Sequence, residues 1–224
     1  MIRYVEMRKL KRRIERLEQE RALERERARI SQDMHDEVGA TLTEIAILSE
    51  LAKKKPEEAG KQVQQISDRA AEVIDNIGEI VWALNPKNDS LDNVIAHIRR
   101  HAVEYLKLTS IQCRFVVPDP LPAHPLSSEA RRNLFLVAKE AIHNVVKHSQ
   151  ATEVAISVGL EKSRLELLVE DNGKGFLIDE QSGFGNGLNN MKKRMEEIRG
   201  TFHIDSKPNQ GTKVRLAVEL IARR

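Results

Sequence analysis

The spacing of apolar residues over the first 84 positions constrains the fold more than any other feature of this chain. The spacing keeps a helical period of three and four residues, and Pro56 is the only proline that interrupts it. The stripe before Pro56 comprises Met7, Leu10, Ile14, Leu17, Ile30, Met34, Val38, Leu42, Ile45 and Leu48, and the stripe after it comprises Val63, Ile66, Ala70, Val73, Ile77 and Ile80. This pattern predicts two long amphipathic helices, from residue 1 to about 54 and from Pro56 to about Asn85, joined by a short turn.

A hairpin of two such helices buries only one face of each. The stripes therefore predict a homodimer in which two hairpins form a four-helix bundle. The region 1–23 is nearly all charged around its apolar positions, which is typical of a coiled coil of about two heptads. Its basic run, Arg8–Arg13, fits either a segment beside a membrane that is attracted to anionic lipid or an ordinary solvated helix face.

The pattern changes after about residue 86, where shorter segments alternate between strand and helix character. Strands are predicted over 111–117, 153–160, 164–170, 201–206 and 212–220, and helices over 91–108, 127–148 and 188–199. The fold class is therefore expected to be α+β with two domains, an antiparallel helical hairpin followed by a mixed sheet with helices.

The composition excludes several classes of protein. Aromatic residues make up 4% and the net charge is +3, which does not suit a protein that binds nucleic acid directly. Cys113 is the only cysteine, so no disulfide framework or cysteine metal site is expected, which fits a reducing compartment. No stretch of the sequence approaches the roughly 20 apolar residues of a membrane span.

His35 is the first candidate for chemistry. It stands beside the apolar position Met34 and is followed by the carboxylates Asp36 and Glu37, so it should lie at the solvent border of the bundle. An imidazole with one free ring nitrogen can accept a phosphoryl group, and an adjacent carboxylate can hold the proton on the other nitrogen. Taken alone, the pattern also fits a surface histidine on a charged helix.

A second group of polar residues lies on the helix predicted to run to about His148. Glu140, Asn144 and Lys147 share one of its faces at i, i+4 and i+7, and His148 flanks Lys147. A carboxylate and an amide oxygen can hold Mg²⁺ directly or through water, and the two basic side chains can face phosphates. The alternative is an ordinary helix with outward polar residues, which Asn144 argues against because it lies within an apolar run.

Two glycine-rich segments complete the candidate site. Asp171 follows a strand, where its carboxylate can accept a hydrogen bond from an adenine amino group. A helix beginning near Leu188 follows the second segment, and free N–H groups at such a terminus suit a triphosphate. Backbone can approach a ligand closely at glycine. The glycines are Gly173 and Gly175 in the first segment, and Gly183, Gly185 and Gly187 in the second.

In order and spacing, these segments resemble the ATP-binding domain shared by gyrase, the heat-shock chaperone, histidine kinases and MutL, the GHKL or Bergerat fold. Residues 140–148 match its N box, 171–175 its G1 box, 183–188 its G2 box and 211–212 its closing motif. The resemblance implies an α/β sandwich that binds ATP, with Asp171 on the adenine amino group and Thr212 near the adenine. It also implies that Asn144 holds Mg²⁺ and that Glu140 supports the metal and its waters.

Residues 27–42 resemble the dimerisation and phosphotransfer domain of the nitrate-sensor-like histidine kinases, with His35 as the phospho-acceptor and Asp36 beside it. Together the resemblances imply a coiled-coil signalling helix over 1–23, a dimerisation and histidine phosphotransfer domain over 24–87, and an ATP-binding domain over 88–224. They imply a kinase that phosphorylates His35 and passes the phosphoryl group to an Asp of a response regulator, typically one with a helix-turn-helix output.

The resemblance departs from the family pattern at Ala40, where many members carry a glutamine that positions water for dephosphorylating the partner. The kinase prediction is unaffected, and phosphatase activity is not supported. Two rival hypotheses are a related ATPase or serine kinase, and a dimeric scaffold that binds nucleotide without chemistry. The sequence predicts a cytoplasmic catalytic region belonging to a membrane-attached sensor.

Overall fold

The computed structural model describes residues 7, 10, 13–14, 21, 38–55, 57, 59–121, 124–177 and 186–220. The chain divides into two compact units between Asn85 and Pro86. The first unit is helical, and the second combines helices with one sheet. Within the described ranges, no helix is both long enough and apolar enough to cross a membrane.

Among its described residues, the helical unit has two helices joined by a short connection. The described part of helix α1 covers 38–54, and helix α2 covers Ala59–Leu84. Arg69 of α2 forms an ion pair with Glu44 of α1 at 3.1 Å and a second with Glu72 at 2.7 Å. Because all three side chains are about half exposed, each pair stabilises the hairpin by no more than about 1 kcal/mol.

Only part of the predicted apolar stripe is buried within a single chain. Val73 and Ile80 are buried, whereas Val63 and Leu42 are 59% and 51% exposed. Apolar residues that keep a helical period and remain exposed indicate a surface suited to further helix packing. The described part of the hairpin, over 38–84, agrees with the prediction, but its two helices do not cover all of its apolar surface.

The second unit is a two-layer sandwich. Its elements are α3 (Leu91–Leu106), β1 (Gln112–Val116), α4 (Ser128–Asn144), β2 (Glu153–Glu161), β3 (Arg164–Asp171), α5 (Asn186–Glu197), β4 (Thr201–Ser206) and β5 (Thr212–Glu219). The strand order is β1-β2-β3-β5-β4, with β1 parallel to β2 and every other neighbouring pair antiparallel. The predicted α+β class and order of elements are confirmed.

Alternate residues of the central strands form the core beneath the helices. Ile156 of β2, Leu167 of β3 and Leu216 of β5 are fully buried, as are Leu134 of α4 and Met195 of α5. Each buried side chain of this size stabilises the fold by about 1.5–3 kcal/mol. Helix α4 packs against both α3 and α5 and contacts β3, so it is the central helix of its layer.

The C-terminal end of α4 differs from the prediction of a regular helix to about His148. The α-helix ends at Asn144, and residues Val145–Ser149 form a π turn. The Ser149 hydroxyl donates a hydrogen bond to the Val145 carbonyl at 2.6 Å. A serine that bonds to the backbone of the preceding turn competes with regular helical hydrogen bonding, which gives a local reason for the change. The wider turn lies at the site described next.

Candidate functional site

A cavity of about 440 Å³ opens between α4, the π turn and the sheet. This volume is within the range of roughly 300–1,000 Å³ found for small-molecule sites. The predicted site residues that line it are Glu140, Asn144, His148, Asp171, Gly175, Gly187, Leu188 and Thr212. Residues far apart in the sequence therefore meet at one place.

Asp171 is the buried acceptor at one end of the cavity. It is 6% exposed, and its Oδ1 atom accepts a hydrogen bond from the Gly173 N–H at 2.8 Å. Burial raises the pKa of the Asp171 carboxyl group. This effect is opposed by the N–H groups of Gly173 and Thr212 and reinforced by nearby Glu170. The remaining acceptor positions of this carboxylate suit a ligand that donates hydrogen bonds.

The loop after β3 is fastened to its neighbours through its backbone. The Lys174 N–H donates to the Ser149 carbonyl at 2.8 Å, and the Lys174 carbonyl accepts from the Asn209 N–H at 2.6 Å. The Asn172 side chain accepts from the N–H groups of Thr152 and Glu153, both at 3.0 Å. These bonds hold the loop between the π turn and the β4–β5 turn, which fixes the wall of the cavity.

Gly175 and Gly211 allow the loop after β3 and the β4–β5 turn to approach each other closely. Their φ angles are +56° and +71°, in the region that favours glycine. A Cβ atom at Gly175 would lie 2.8 Å from the Gly211 carbonyl oxygen, and one at Gly211 would overlap the carbonyl oxygen of Asp171. The sequence predicted that glycines would let backbone approach a ligand. In the structure, these two glycines let the protein's own backbone segments pack together.

The polar face of α4 differs from the prediction at one residue. Glu140, Asn144 and His148 line the cavity, whereas Lys147 is exposed and is not among the lining residues. In a regular helix, the position seven residues after Glu140 returns to the same face. A π turn bonds i to i+5 and takes more residues per turn, so His148 replaces Lys147 on that face. Lys174, from the loop after β3, supplies a second basic side chain to the lining.

The first turn of α5 approaches Glu140 closely. A Cβ atom at Gly187 would lie 2.8 Å from the Glu140 Oε1 atom. A larger residue at this position would therefore displace the carboxylate. Gly187 thus leaves room for the Glu140 side chain beside the start of α5.

A cluster of rings joins α3 to α4 behind the polar face. The His143 ring lies 4.4 Å from that of Tyr105 and 5.7 Å from that of His101, and the His97 and Phe135 rings are 4.3 Å apart. Burial lowers the pKa of His143 to about 4, with further lowering by nearby positive charge, and burial with nearby Arg100 lowers that of His97 to about 4. His97 and His143 are therefore neutral at pH 7. His143 precedes Asn144, so the cluster supports the helix that carries the site.

Several lining residues were missed by the sequence analysis. Lys174 was not predicted as a site residue. Its position between the motif residues Gly173 and Gly175 could have indicated it. Ser149 and Phe176 carry no pattern that marks them, since the π turn brings Ser149 into the cavity wall and the loop after β3 brings Phe176 there. Gly173 is not a lining residue, because it packs against Ser149.

Four predicted residues lie outside the described residues. They are His35, Asp36, Gly183 and Gly185. Their assigned roles remain predictions from the sequence.

Two family models match the chain in consecutive segments. Residues 26–89 match a model described as histidine kinase, and residues 129–221 match a model described as histidine kinase-, DNA gyrase B- and HSP90-like ATPase. The chain belongs to the histidine kinases. Its two matched segments correspond to the hairpin of this kinase and to the sandwich that carries the cavity.

The kinase is similar to two sensor kinases of Bacillus subtilis (strain 168). It is 28% identical to the sensor histidine kinase LiaS over 87% of this chain and 54% of the relative. It is 30% identical to the sensor histidine kinase DesK over 86% of this chain and 50% of the relative. This kinase thus spans about half the length of the curated relatives that it matches.

The fold of the kinase has a counterpart among solved structures. The Acinetobacter baumannii histidine kinase AdeS matches with a TM-score of 0.56 and 13% identity, over 80% of this chain and 96% of that one. At this identity the likeness concerns the fold alone.

Proposed function

We propose that this chain is the kinase core of a two-component sensor. It binds ATP with Mg²⁺ in the cavity, phosphorylates its own His35, and passes the phosphoryl group to an aspartate of a response regulator. The observation that carries the proposal is the meeting of Asp171, Asn144 and Thr212 around one cavity. Family membership supports it independently.

Asp171 is proposed to bind the adenine amino group. Its buried carboxylate accepts from two backbone N–H groups and keeps further lone pairs for a donor from the ligand. Apolar side chains beside it, Val169, Ile204 and Val214, line the same cavity and suit the faces of a base. This combination favours a flat ligand that is apolar on its faces and donates hydrogen bonds from its edge.

Glu140 and Asn144 are proposed to hold Mg²⁺ at the other end, with His148 and Lys174 facing the phosphates. A carboxylate and an amide oxygen are suitable ligands for this ion, which binds proteins through few side chains and keeps waters and phosphate oxygens. Among the described residues, no group of three or more His, Cys, Asp or Glu is arranged to hold a metal. The proposed ion would take its remaining ligands from water and the phosphate oxygens. The ion would neutralise charge on the phosphates.

The chemical step is a transfer of the γ-phosphoryl group to an imidazole. One ring nitrogen of His35 forms a bond to phosphorus while the bond from phosphorus to the bridging oxygen breaks, and ADP leaves with the electron pair. Asp36 accepts or holds the proton of the other ring nitrogen. In the second step, a carboxylate of the response regulator attacks the phosphohistidine and regenerates the imidazole. Glu140 and basic Lys147 are assigned supporting roles, although Lys174 is favoured for contact with phosphate because it lines the cavity and Lys147 does not.

A homodimer through the hairpin is part of the proposal. Met7, Leu10 and Ile14 follow heptad spacing and are 71%, 59% and 47% exposed in the single chain. Val63 and Ile74 of α2 are also exposed. Apolar residues at these spacings bury their surface when helices of a second chain pack against them. Light scattering coupled to size-exclusion chromatography should therefore give twice the mass of the chain.

The remaining proposals concern location and partner. The basic run Arg8–Arg13 supports attachment of the full-length protein to an anionic membrane surface, with the kinase core in the cytoplasm. The response regulator is proposed to carry a helix-turn-helix output domain. Phosphotransfer profiling against a set of purified response regulators would identify it.

The test is incorporation of radiolabelled phosphate from ATP into the 224-residue chain. We expect acid-labile labelling of the wild type, and its loss in His35→Gln. His203→Gln is the matched control, because His203 is an exposed histidine on β4 outside the cavity lining.

Three results would contradict the proposal. Undiminished labelling of His35→Gln would show that another residue is the acceptor. Acid-stable labelling would indicate phosphorylation of a serine or threonine instead. Nucleotide binding without any labelling would support a binding scaffold rather than a kinase.

A further inference from the structure

Ser206, at the end of β4, joins three segments of the site through one buried hydroxyl group. The Phe176 N–H donates to its Oγ atom at 3.0 Å, and this hydroxyl donates to the Gly211 carbonyl at 3.0 Å. Its Oγ atom also lies 3.0 Å from the Thr212 Oγ1 atom, where either hydroxyl can be the donor. Ser206 does not line the cavity, but Thr212 does.

The direction of the Ser206–Thr212 hydrogen bond follows from counting hydrogens. The Ser206 hydroxyl has one hydrogen, and two acceptors compete for it. Gly211 is buried, and among the described residues Ser206 is the donor shown for its carbonyl. Leaving a buried carbonyl unpaired is costly, whereas Thr212 can rotate its own hydrogen toward Ser206. The Ser206 hydrogen therefore goes to Gly211, and Thr212 donates to Ser206.

This direction fixes what Thr212 presents to the cavity. With its hydrogen committed to Ser206, the Thr212 hydroxyl offers only lone pairs to a ligand. Thr212 is the cross-strand partner of Asp171, whose carboxylate also accepts hydrogen bonds. The side chains of Asp171 and Thr212 are therefore both acceptors.

We propose that Ser206 is a positioning residue that holds Thr212 as an acceptor and thereby selects a purine with a 6-amino group over one with a 6-oxo group. The inference rests on the proposed nucleotide function and adds the residue that sets its base selectivity. An amino group donates to these acceptors directly or through water. A 6-oxo group would bring its own lone pairs toward them and find no hydrogen.

The test compares ATP with inosine triphosphate, whose base carries a 6-oxo group in place of the 6-amino group. The dissociation constants of both are measured with Mg²⁺ on the 224-residue chain, by displacement of a fluorescent ATP analogue. In Ser206→Ala, the Thr212 hydrogen becomes free to bond to a 6-oxo group. We expect the preference for ATP to fall about tenfold, as one redirected hydrogen bond of about 1.4 kcal/mol would give.

The conservative variant separates positioning from a merely structural role. Ser206→Thr keeps a hydroxyl at the same place and should keep the preference within about twofold of the wild type. If Ser206→Ala does not fold, Ser206→Cys gives the same readout, because a thiol fills similar space but is a weak donor and acceptor. Thermal unfolding shows which of the variants are folded, and only folded variants are compared with the wild type.

The outcomes that overturn the inference are distinct from failure of the proposed function. Equal loss of both affinities in the folded variant, with the ratio unchanged, would make Ser206 structural only. A wild type that binds both triphosphates equally would leave no selectivity for Ser206 to set. A wild type that binds neither would overturn the proposed function, and this inference with it.

Discussion

Acid should destabilise the sandwich unit through the ring cluster between α3 and α4. His97 and His143 have pKa values of about 4 in the folded chain, mainly because burial disfavours their charged forms. Arg100 beside His97, and Lys139 and Lys147 near His143, act in the same direction. In an unfolded chain, both imidazoles would return to the ordinary value of about 6.5.

The sign and size of the effect follow from proton linkage. Below pH 6.5 the unfolded chain binds protons that the folded chain does not, so stability falls between about pH 6.5 and 4 and then levels off. A difference of about 2.5 in pKa corresponds to at most about 3.4 kcal/mol for each ring. Because both rings are partly exposed, solvent screening reduces this to about 1–2 kcal/mol each. We expect the two histidines together to lower the free energy of unfolding by about 2–3 kcal/mol between pH 7.5 and 4.5.

Amide hydrogen exchange in α3 and α4 measures this loss of stability within the sandwich unit. Fluorescence of Trp82 would not report it, because Trp82 lies in the helical unit. The double variant His97→Phe with His143→Phe keeps both rings but removes their titration, so most of the pH dependence should disappear. His203→Phe is the control, because His203 is exposed on β4. A double variant that loses as much stability as the wild type at pH 4.5 would refute the reasoning.

Three further substitutions and one control test the packing and the metal role. Gly211→Ala should destabilise the sandwich by about 2 kcal/mol or more in thermal unfolding, because its φ is +71° and a Cβ atom would overlap backbone. Gly159→Ala, whose Cβ atom would meet nothing nearer than 3.9 Å, should change stability by less than about 1 kcal/mol, and equal effects would contradict the argument. Asn133→Ala should lower the free energy of unfolding in urea by about 1–3 kcal/mol, because it removes two hydrogen bonds of 3.0 and 3.1 Å from α4 to the segment 194–197. An unchanged free energy of unfolding would show that these two hydrogen bonds do not stabilise the sandwich. Asn144→Asp should abolish labelling from Mg-ATP, and retained labelling would exclude its metal role.

The elements of the fold could be predicted because their signals are local. Apolar spacing and Pro56 predicted the hairpin, and the strand and helix character of shorter segments predicted the sandwich. The helix predicted over 127–148 begins with Ser127 as its N-cap, whose hydroxyl accepts from the Ala130 N–H at 3.1 Å. The extent of burial in the hairpin could not be predicted in this way. A stripe records which residues avoid water, but it does not say which neighbour covers Val63 or Leu42.

The motif residues of the site could also be predicted, but their neighbours could not. Asn144 stands out because it lies within an apolar run, and Asp171 because it follows a strand and precedes the closely spaced Gly173 and Gly175. The ring cluster carried no such signal. His97 and His143 come from helices separated by a strand, and they join one cluster, through Phe135 and His101, only when α3 packs on α4. Ser206 likewise gains its importance from the β4–β5 hairpin, which brings its hydroxyl to Thr212.

The π turn after Asn144 explains why Lys147 does not line the cavity, and it also shows how the site is assembled. A regular helix would have kept Lys147 on the polar face and left the Ser149 carbonyl in a different place. The wider turn brings His148 into the lining and leaves the Ser149 carbonyl able to accept the Lys174 N–H at 2.8 Å. A turn that departs from ideal helix geometry is locally unfavourable, so it persists only where surrounding contacts stabilise it. Here those contacts are the same ones that hold the loop of Asp171 against α4, so the local irregularity and the shape of the cavity depend on each other.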